Sequence, residues 1–179
     1  NCLVAVPHPN VLIARQAKRT LPVEVIVRRY LVEGTTPTSL YFNYFEKGRR
    51  EIYGIDFPDG LKPNQAIPMG AIVTPTTKAA NGYDQELTNE QARILVDREF
   101  GDGIWKEVKA AALTLVERAS TYCLERGMIL ADTKMEFGLD DDSRVMLIDE
   151  LLTPECSRFL LPNGEQIVPD KDTLVRWLA

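Results

Sequence analysis

The stretch ILADTKMEFG (129–138) sets three charged side chains at alternate positions, Asp132, Lys134 and Glu136. In an extended chain this spacing puts all three on one face, with Leu130, Thr133, Met135 and Phe137 divided between the ends and the other face. A few residues on, RVMLIDE (144–150) ends an apolar run on Asp149. If the two stretches pair as a hairpin across the acidic turn DDDS, Glu136 and Asp149 face each other near its end. Two facing carboxylates suit Mg²⁺, which takes one or two carboxylates plus phosphate oxygens and keeps several waters. Without a cation, like charges that close raise one carboxyl pKa sharply. The plainer alternative is that these acids flank a turn in solvent. Lys134 shares the face of Glu136, where it could bind an anionic substrate or neutralise the acids in a salt bridge.

Three other segments pair hydroxyls with a cation, the combination that phosphate recognition uses. VIVRRYL places Arg28 ahead of the loop EGTTPTS, ECSRF carries Ser157 and Arg158, and TPTTK ends on Lys78. An arginine at a strand end is also a common solvated cap, so the segments count only together. There is no GxxxxGK[ST] loop, which excludes a P-loop NTPase. The single histidine, His8 in VPHPN, argues against Ser-His-Asp or Cys-His catalysis.

The elements that must hold these residues read as α+β: antiparallel hairpins with helices packed on them. NVLIARQA reads as a strand and LPVEVIVRRYLV as a longer, buried one. LYFNYFEKGRREIYGI suits strand or helix. Pro58 to Pro75, with four prolines and two glycines, reads as irregular loop leading into the turn-rich TPTTKAANGYD. LTNEQARILVDREFG predicts a helix with Thr88 as N-cap and Gln91 at capping-box spacing. A second helix spans about Ile104 to Arg126, with Val108, Ala112, Leu115, Ala119 and Tyr122 on one face and Gly127 ending it.

Composition sets the outer bounds. The chain of 179 residues is 45% hydrophobic, enough for one domain with a real core. A net charge of −5 argues against nucleic acid as a partner. No apolar run approaches the roughly 18 residues that cross a membrane. Cys2, Cys123 and Cys156 form neither a disulfide framework nor a zinc pattern, so the expected setting is a reducing cytoplasm. The start, NCLVAVPHPN, lacks Met and a signal sequence, and DTLVRWLA at the end reads as a helix cut short; both suggest part of a longer protein.

Taken together, the motifs resemble the SAICAR synthetase (phosphoribosylaminoimidazole-succinocarboxamide synthase) family. ILADTKMEFG matches one family signature, an apolar pair followed by Asp, any residue, Lys, apolar, Glu-Phe-Gly. LPVEVIVRRYLVEGT matches another, Pro-apolar-Glu through Arg28 to a Gly-hydroxyl pair; TPTTKA and IDELLTPECSRF also look like the family. The resemblance implies the C-terminal lobe of an ATP-grasp/SAICAR-synthetase-like two-lobed fold. Residues 1–20 would be the last strand of the N-terminal nucleotide lobe plus a hinge, and 21–179 the substrate and metal-binding domain. It also implies ATP and Mg²⁺ as cofactors, and ligation of L-aspartate to 5-aminoimidazole-4-carboxyribonucleotide through an acyl phosphate.

Carried over by position, Glu136 and Asp149 would hold Mg²⁺. Arg28, Thr35, Ser157 and Arg158 would hold the ribonucleotide phosphate, and Lys134 and Asp132 would serve catalysis at the imidazole end. Lys78 and Asp84 would line the aspartate or ATP side, and Ala17, Lys18, Arg19 and Thr20 would form the hinge where adenine rests. The chain departs from the family in having Gly34-Thr35 for Gly-Ser with one extra residue after Arg28, and GYD for His-Asp before Asp84. It also lacks the lobe whose Gly-Lys-Ala-Lys hairpin covers the ATP phosphates. That loss opens a second expectation, a nucleotide-binding module without turnover, and the apolar surface it would expose favours a homo-oligomer. A third reading is a structural fragment with solvated acids.

Overall fold

The computed structural model describes residues 2–79 and 82–166. Among them run the strands β1 (Leu3–His8), β2 (Val11–Ala14), β3 (Arg19–Thr20), β4 (Val23–Arg28), β5 (Glu51–Ile52), β6 (Ile55–Asp56) and β7 (Ile72–Thr77). The helices α1 (Asn89–Phe100) and α2 (Ile104–Leu124) follow, then β8 (Ile129–Leu139), β9 (Val145–Ile148) and β10 (Ser157–Leu160). Every strand pairing is antiparallel, which makes the fold α+β.

The long strand β8 organises the main sheet. Its first half lies between β4 and β10, and its second half between β3 and β9, while β7 flanks β4. Alternation in β4 divides the two faces. Val23, Val25 and Val27 are buried against the helices, whereas Glu24, Ile26 and Arg28 point to the other side. On β8, Met135, Phe137 and Leu139 join the same core, with Val108, Ala112, Val116 and Cys123 of α2 above them. A second core, built on Leu31, Tyr44, Ile52, Tyr53 and Phe57, supports the region that follows β4.

The helix signals hold. Thr88 caps α1: its Oγ1 accepts from the Gln91 N–H (3.1 Å) and Gln91 Oε1 accepts from the Thr88 N–H (2.7 Å). Gly127, at φ 71°, ends the α2 segment in a Schellman turn, with the Met128 N–H donating to the Cys123 carbonyl at 3.0 Å. The hairpin across the acidic turn is also present, but it pairs Glu136 with Ile148 and Leu139 with Val145, so Asp149 lies just past the ladder rather than directly opposite Glu136.

Four further sequence expectations need correction. The loop expected to run to Pro75 gives way to strand at Ile72, because Thr74 and Thr76 bury their hydroxyls on β4 partners. Pro75 is tolerated because β7 is outermost in the β10-β8-β4-β7 order, and the backbone groups of Pro75 and Thr77 face residues 85–87 rather than β4. The strand LPVEVIVRRYLV stops at Arg28, where the chain turns to bond with residues 64–67. LYFNYFEKGRREIYGI is neither one helix nor one strand: it forms a π-helical turn at Phe42–Glu46 and the small β5–β6 hairpin. On α2, Val108, Ala112 and Ala119 face inward as expected and are joined by Val116 and Cys123, while Tyr122 is exposed with Arg126 stacked on its ring at 3.5 Å. DTLVRWLA lies outside the described residues.

The β1–β2 hairpin carries Leu3, Val4, Val6, Val11, Leu12 and Ile13 all exposed. It connects to the sheet through residues 18–21, which hydrogen-bond along the end of β8. At that crossing the backbones touch: a Cβ on Gly138 would stand 2.6 Å from the Arg19 carbonyl oxygen, so only glycine fits.

Candidate active site

The sheet face turned away from the helices floors an open cleft of about 320 Å³. Its chemistry follows from the register. Arg28 of β4 and Arg158 of β10 both pair directly with Asp132 of β8, so one carboxylate has an arginine on each side. Arg158 grips it as a fork: Nε donates to Oδ1 (2.9 Å), and the second arm donates to Oδ2. Arg28 Nη1 lies 3.6 Å from Oδ2, while its Nε donates to Thr74 Oγ1 (2.8 Å) and its Nη2 to the Thr38 carbonyl (3.1 Å). Asp132 and Arg28 are each only 4% exposed. Two guanidinium groups thus share one buried carboxylate.

The hydroxyl loop 33–39 arches over this end. The same arginines hold it through backbone carbonyls, Arg158 at Glu33 and Arg28 at Thr38; Tyr53 Oη also donates to the Thr38 carbonyl (2.7 Å). Burial pushes the Tyr53 phenol up, partly offset by Arg28, so it stays a donor. Gly34 is required by close approach, because a Cβ there would meet Ser39 Oγ at 2.7 Å and the Arg158 guanidinium at 2.9 Å. Thr35, Thr36, Thr38 and Ser39 line the cleft beside the arginines.

The opposite end is acidic around Lys134 and Lys78. Lys134 Nζ donates to Glu24 Oε1 at 2.8 Å. Burial works against its charge, but the hydrogen bond to Glu24 and the negative field of Glu24, Glu136 and Asp149 prevail and hold its pKa above the ordinary 10.5. Lys78 pairs with Glu136, and Asp84 Oδ1 accepts from the Ala79 N–H (2.7 Å), tying down the chain after β7. Asp149 stands just past β9 at φ 60°, a conformation that Asp tolerates.

The structure therefore gathers Arg28, Thr35, Asp132, Lys134, Asp84, Ser157 and Arg158 around one cleft. Glu136, Lys78 and Asp149 adjoin it through the lysine end. The Ser157 hydroxyl is buried and donates to Thr133 Oγ1 (2.8 Å). Ala17, Lys18, Arg19 and Thr20 do not line the cleft; Arg19 instead stacks 4.1 Å over Phe100 and donates to the Glu99 carbonyl (2.9 Å). Sequence reasoning missed Glu24, Thr74, Glu150 and Glu155. Glu24 was accessible to it, since positions 24, 26 and 28 alternate just as 132, 134 and 136 do.

The arrangement of DTKMEFG under two flanking arginines also stands in a wider match. The SAICAR synthetase family model covers residues 1–179. The chain belongs to the SAICAR synthetase family. A phosphoribosylaminoimidazole-succinocarboxamide synthase of Legionella pneumophila (strain Lens) is 42% identical over 166 residues, 93% of this chain and 51% of the relative. A putative enzyme of that name from Mesorhizobium japonicum is 39% identical over 189 residues, covering 100% of this chain and 58% of its own length. Among solved structures, the SAICAR synthase of Saccharomyces cerevisiae complexed with SAICAR superposes with a TM-score of 0.73 at 36% identity, over 93% of this chain and 52% of that one. A SAICAR synthetase in complex with ADP shares the fold, with a TM-score of 0.73 at 23% identity over 99% of this chain and 65% of that one. The chain spans about half the length of the curated relatives it matches.

Proposed function

We propose that this chain contributes the ribonucleotide and metal-binding part of an ATP-dependent ligase of purine biosynthesis. The ligase joins L-aspartate to 5-aminoimidazole-4-carboxyribonucleotide. The observation that carries the reading is the Arg28–Asp132–Arg158 row beneath a hydroxyl loop, set at one end of a cleft whose other end holds Lys134 and three carboxylates. The family membership supports it, as do the SAICAR named with the yeast structure and the ADP named with another relative.

In this reading the 5′-phosphate lies at the arginine end, held by Arg28, Arg158 and Thr35, with Asp132 keeping both forks in place. Ser157 lies alongside, its hydroxyl fixed by Thr133. The imidazole carboxylate then lies toward Lys134, whose ammonium offsets its charge. The γ-phosphoryl of ATP passes to a carboxylate oxygen, releasing ADP; the aspartate amine then attacks the acyl carbon and inorganic phosphate departs. Such transfers need positioned cations and donors rather than a protein nucleophile, and none of the cleft residues has to form a covalent bond.

The residues present fit Mg²⁺. Glu136 and Asp149 would hold it, since the carboxylates at this end outnumber their lysines. Mg²⁺ takes one or two carboxylates and completes its shell with waters and phosphate oxygens. Bound there, Mg²⁺ would neutralise charge developing on the transferring phosphoryl group.

Lys78 and Asp84 are proposed to face aspartate or ATP. Residues 1–20 are proposed as the edge of a nucleotide lobe, with Ala17 to Thr20 near adenine; the exposed apolar β1–β2 face supports this. A cytoplasmic setting is proposed from the cysteine pattern, all three cysteines being free; among the described residues no helix is long and apolar enough to cross a membrane.

The test is ADP release by the full-length protein with Mg²⁺, aspartate and the imidazole carboxyribonucleotide. Turnover should require every component. Tight ribonucleotide binding without ADP release would point instead to a binding module.

A further inference from the structure

No role has yet fallen to Glu24, which is unusual in its placement. Ile26 pairs with Lys134, so Glu24, two residues earlier on the same face of β4, lies diagonal to Lys134 where the β4–β8 ladder ends at Val25 and Met135. Glu24 is thus reached across the strands and Glu136 two residues along its own strand, so the ammonium of Lys134 could settle on either. It bonds to Glu24 at 2.8 Å.

We propose that Glu24 is a positioning residue that holds the Lys134 ammonium away from Glu136 and Asp149, leaving those two carboxylates to a divalent cation. The inference rests on the metal role proposed for that pair. Its physical basis is competition. An ammonium in contact with a carboxylate neutralises the same charge that a dication would, and must be displaced before the ion can bind. Lys134 sits two residues from Glu136 on the same strand face and lies within the field of both Glu136 and Asp149. Its four-carbon stem could carry it to either.

The restraint comes from the carboxylate partner. The Glu24 side chain is 12% exposed, against 37% for Lys134, and Thr76 Oγ1 supports its second oxygen at 3.4 Å. A mostly buried carboxylate on a central strand is the fixed point and the lysine is the tethered arm. Lys78, which pairs with Glu136 from the chain after β7, is then the exchangeable counter-ion that the dication replaces. One ammonium is kept out of the competition and one can leave.

The experiment reads Mn²⁺ as a probe of the divalent site, by electron paramagnetic resonance of the free ion, on the full-length protein and its variants. E136Q tests the metal reading first: unchanged Mn²⁺ affinity would remove that reading and this inference with it. If E136Q weakens binding, E24Q should weaken it as well, by about fivefold, the size of one partly exposed charge contact. E24D keeps the charge but shortens the reach to Lys134, so it should also weaken Mn²⁺ binding. Full affinity in E24D would mean that Glu24 acts only through its field. The deciding measurement is the double-mutant cycle with K134M. Without the ammonium, E24Q should no longer change Mn²⁺ affinity; an equal loss in both backgrounds overturns the restraint while the metal pair stands. Circular dichroism melts confirm which variants fold, and the E24D arm decides the matter if E24Q does not.

Discussion

The two ends of the cleft handle charge in opposite ways. At the arginine end, Arg28 and Asp132 are almost fully buried, Arg158 forks onto the same carboxylate, and both arginines also hold loop 33–39 by its carbonyls. Each guanidinium is fixed from several directions before any ligand arrives. At the other end the side chains of Lys134 and Lys78 are 37% and 35% exposed, and each pairs with a single carboxylate. The first end is preorganised for one anion shape, whereas the second can redistribute its ions at small cost. A phosphate that serves only as a handle suits the first, and a centre whose charge changes during reaction suits the second.

The sharpest way to break this contrast is Asp132→Ala. It leaves two arginines facing each other without their shared counter-ion, and the expected loss is about 3–5 kcal/mol in chemical denaturation. A loss below about 1 kcal/mol would mean that water already solvates the arginine end, and the contrast would disappear. Gly34→Ala should follow, at about 1–3 kcal/mol, because its new methyl group displaces Ser39 or Arg158. Arg158→Lys keeps the charge but loses the fork, so calorimetry should show affinity for the imidazole carboxyribonucleotide falling by about tenfold. Unchanged affinity would mean that the fork serves only the loop.

The smallest effect belongs to the lysine end. Lys134→Met should cost no more than about 1 kcal/mol, as expected for a half-exposed pair. The pKa of Lys134 is raised on folding, so its contribution is complete below the ordinary lysine value of 10.5 and fades as pH climbs through the raised one. The stability difference between Lys134→Met and the unmodified protein should therefore be flat across neutral pH and shrink only in strong alkali. A difference that already changes near neutrality would contradict the assignment.

Much of this molecule was legible in the chain because local rules and tertiary structure agree. Thr88 with Gln91, Gly127 after α2, and the alternation of Asp132, Lys134 and Glu136 each state their geometry within a few residues. The failures came where long-range partners decide. Pro75 argues for a loop until β4 supplies a place for Thr74 and Thr76. Leu130 shares parity with Asp132 yet lies in the core with Met135, because the β8–β10 pairing shifts between Arg158 and Phe159. A single skipped residue exchanges faces, and nothing local announces it. That Asp132 would sit between Arg28 and Arg158 depended on register across three strands, which no motif in one segment contains.

The position of β8 has a kinetic consequence. Its four partner strands come from residues 19–28 on one side and 145–160 on the other. The Lys134–Glu24 contact alone spans 110 positions. During synthesis β4 must wait, with its valines unburied, until α1, α2 and β8 have all emerged. Pairings this distant make the chain a slow folder whose early intermediates, with β4 paired only to β7, expose an apolar sheet face. Holding the nascent chain until β8 arrives, as a chaperone would, should raise the yield of folded protein more than any improvement to the helices.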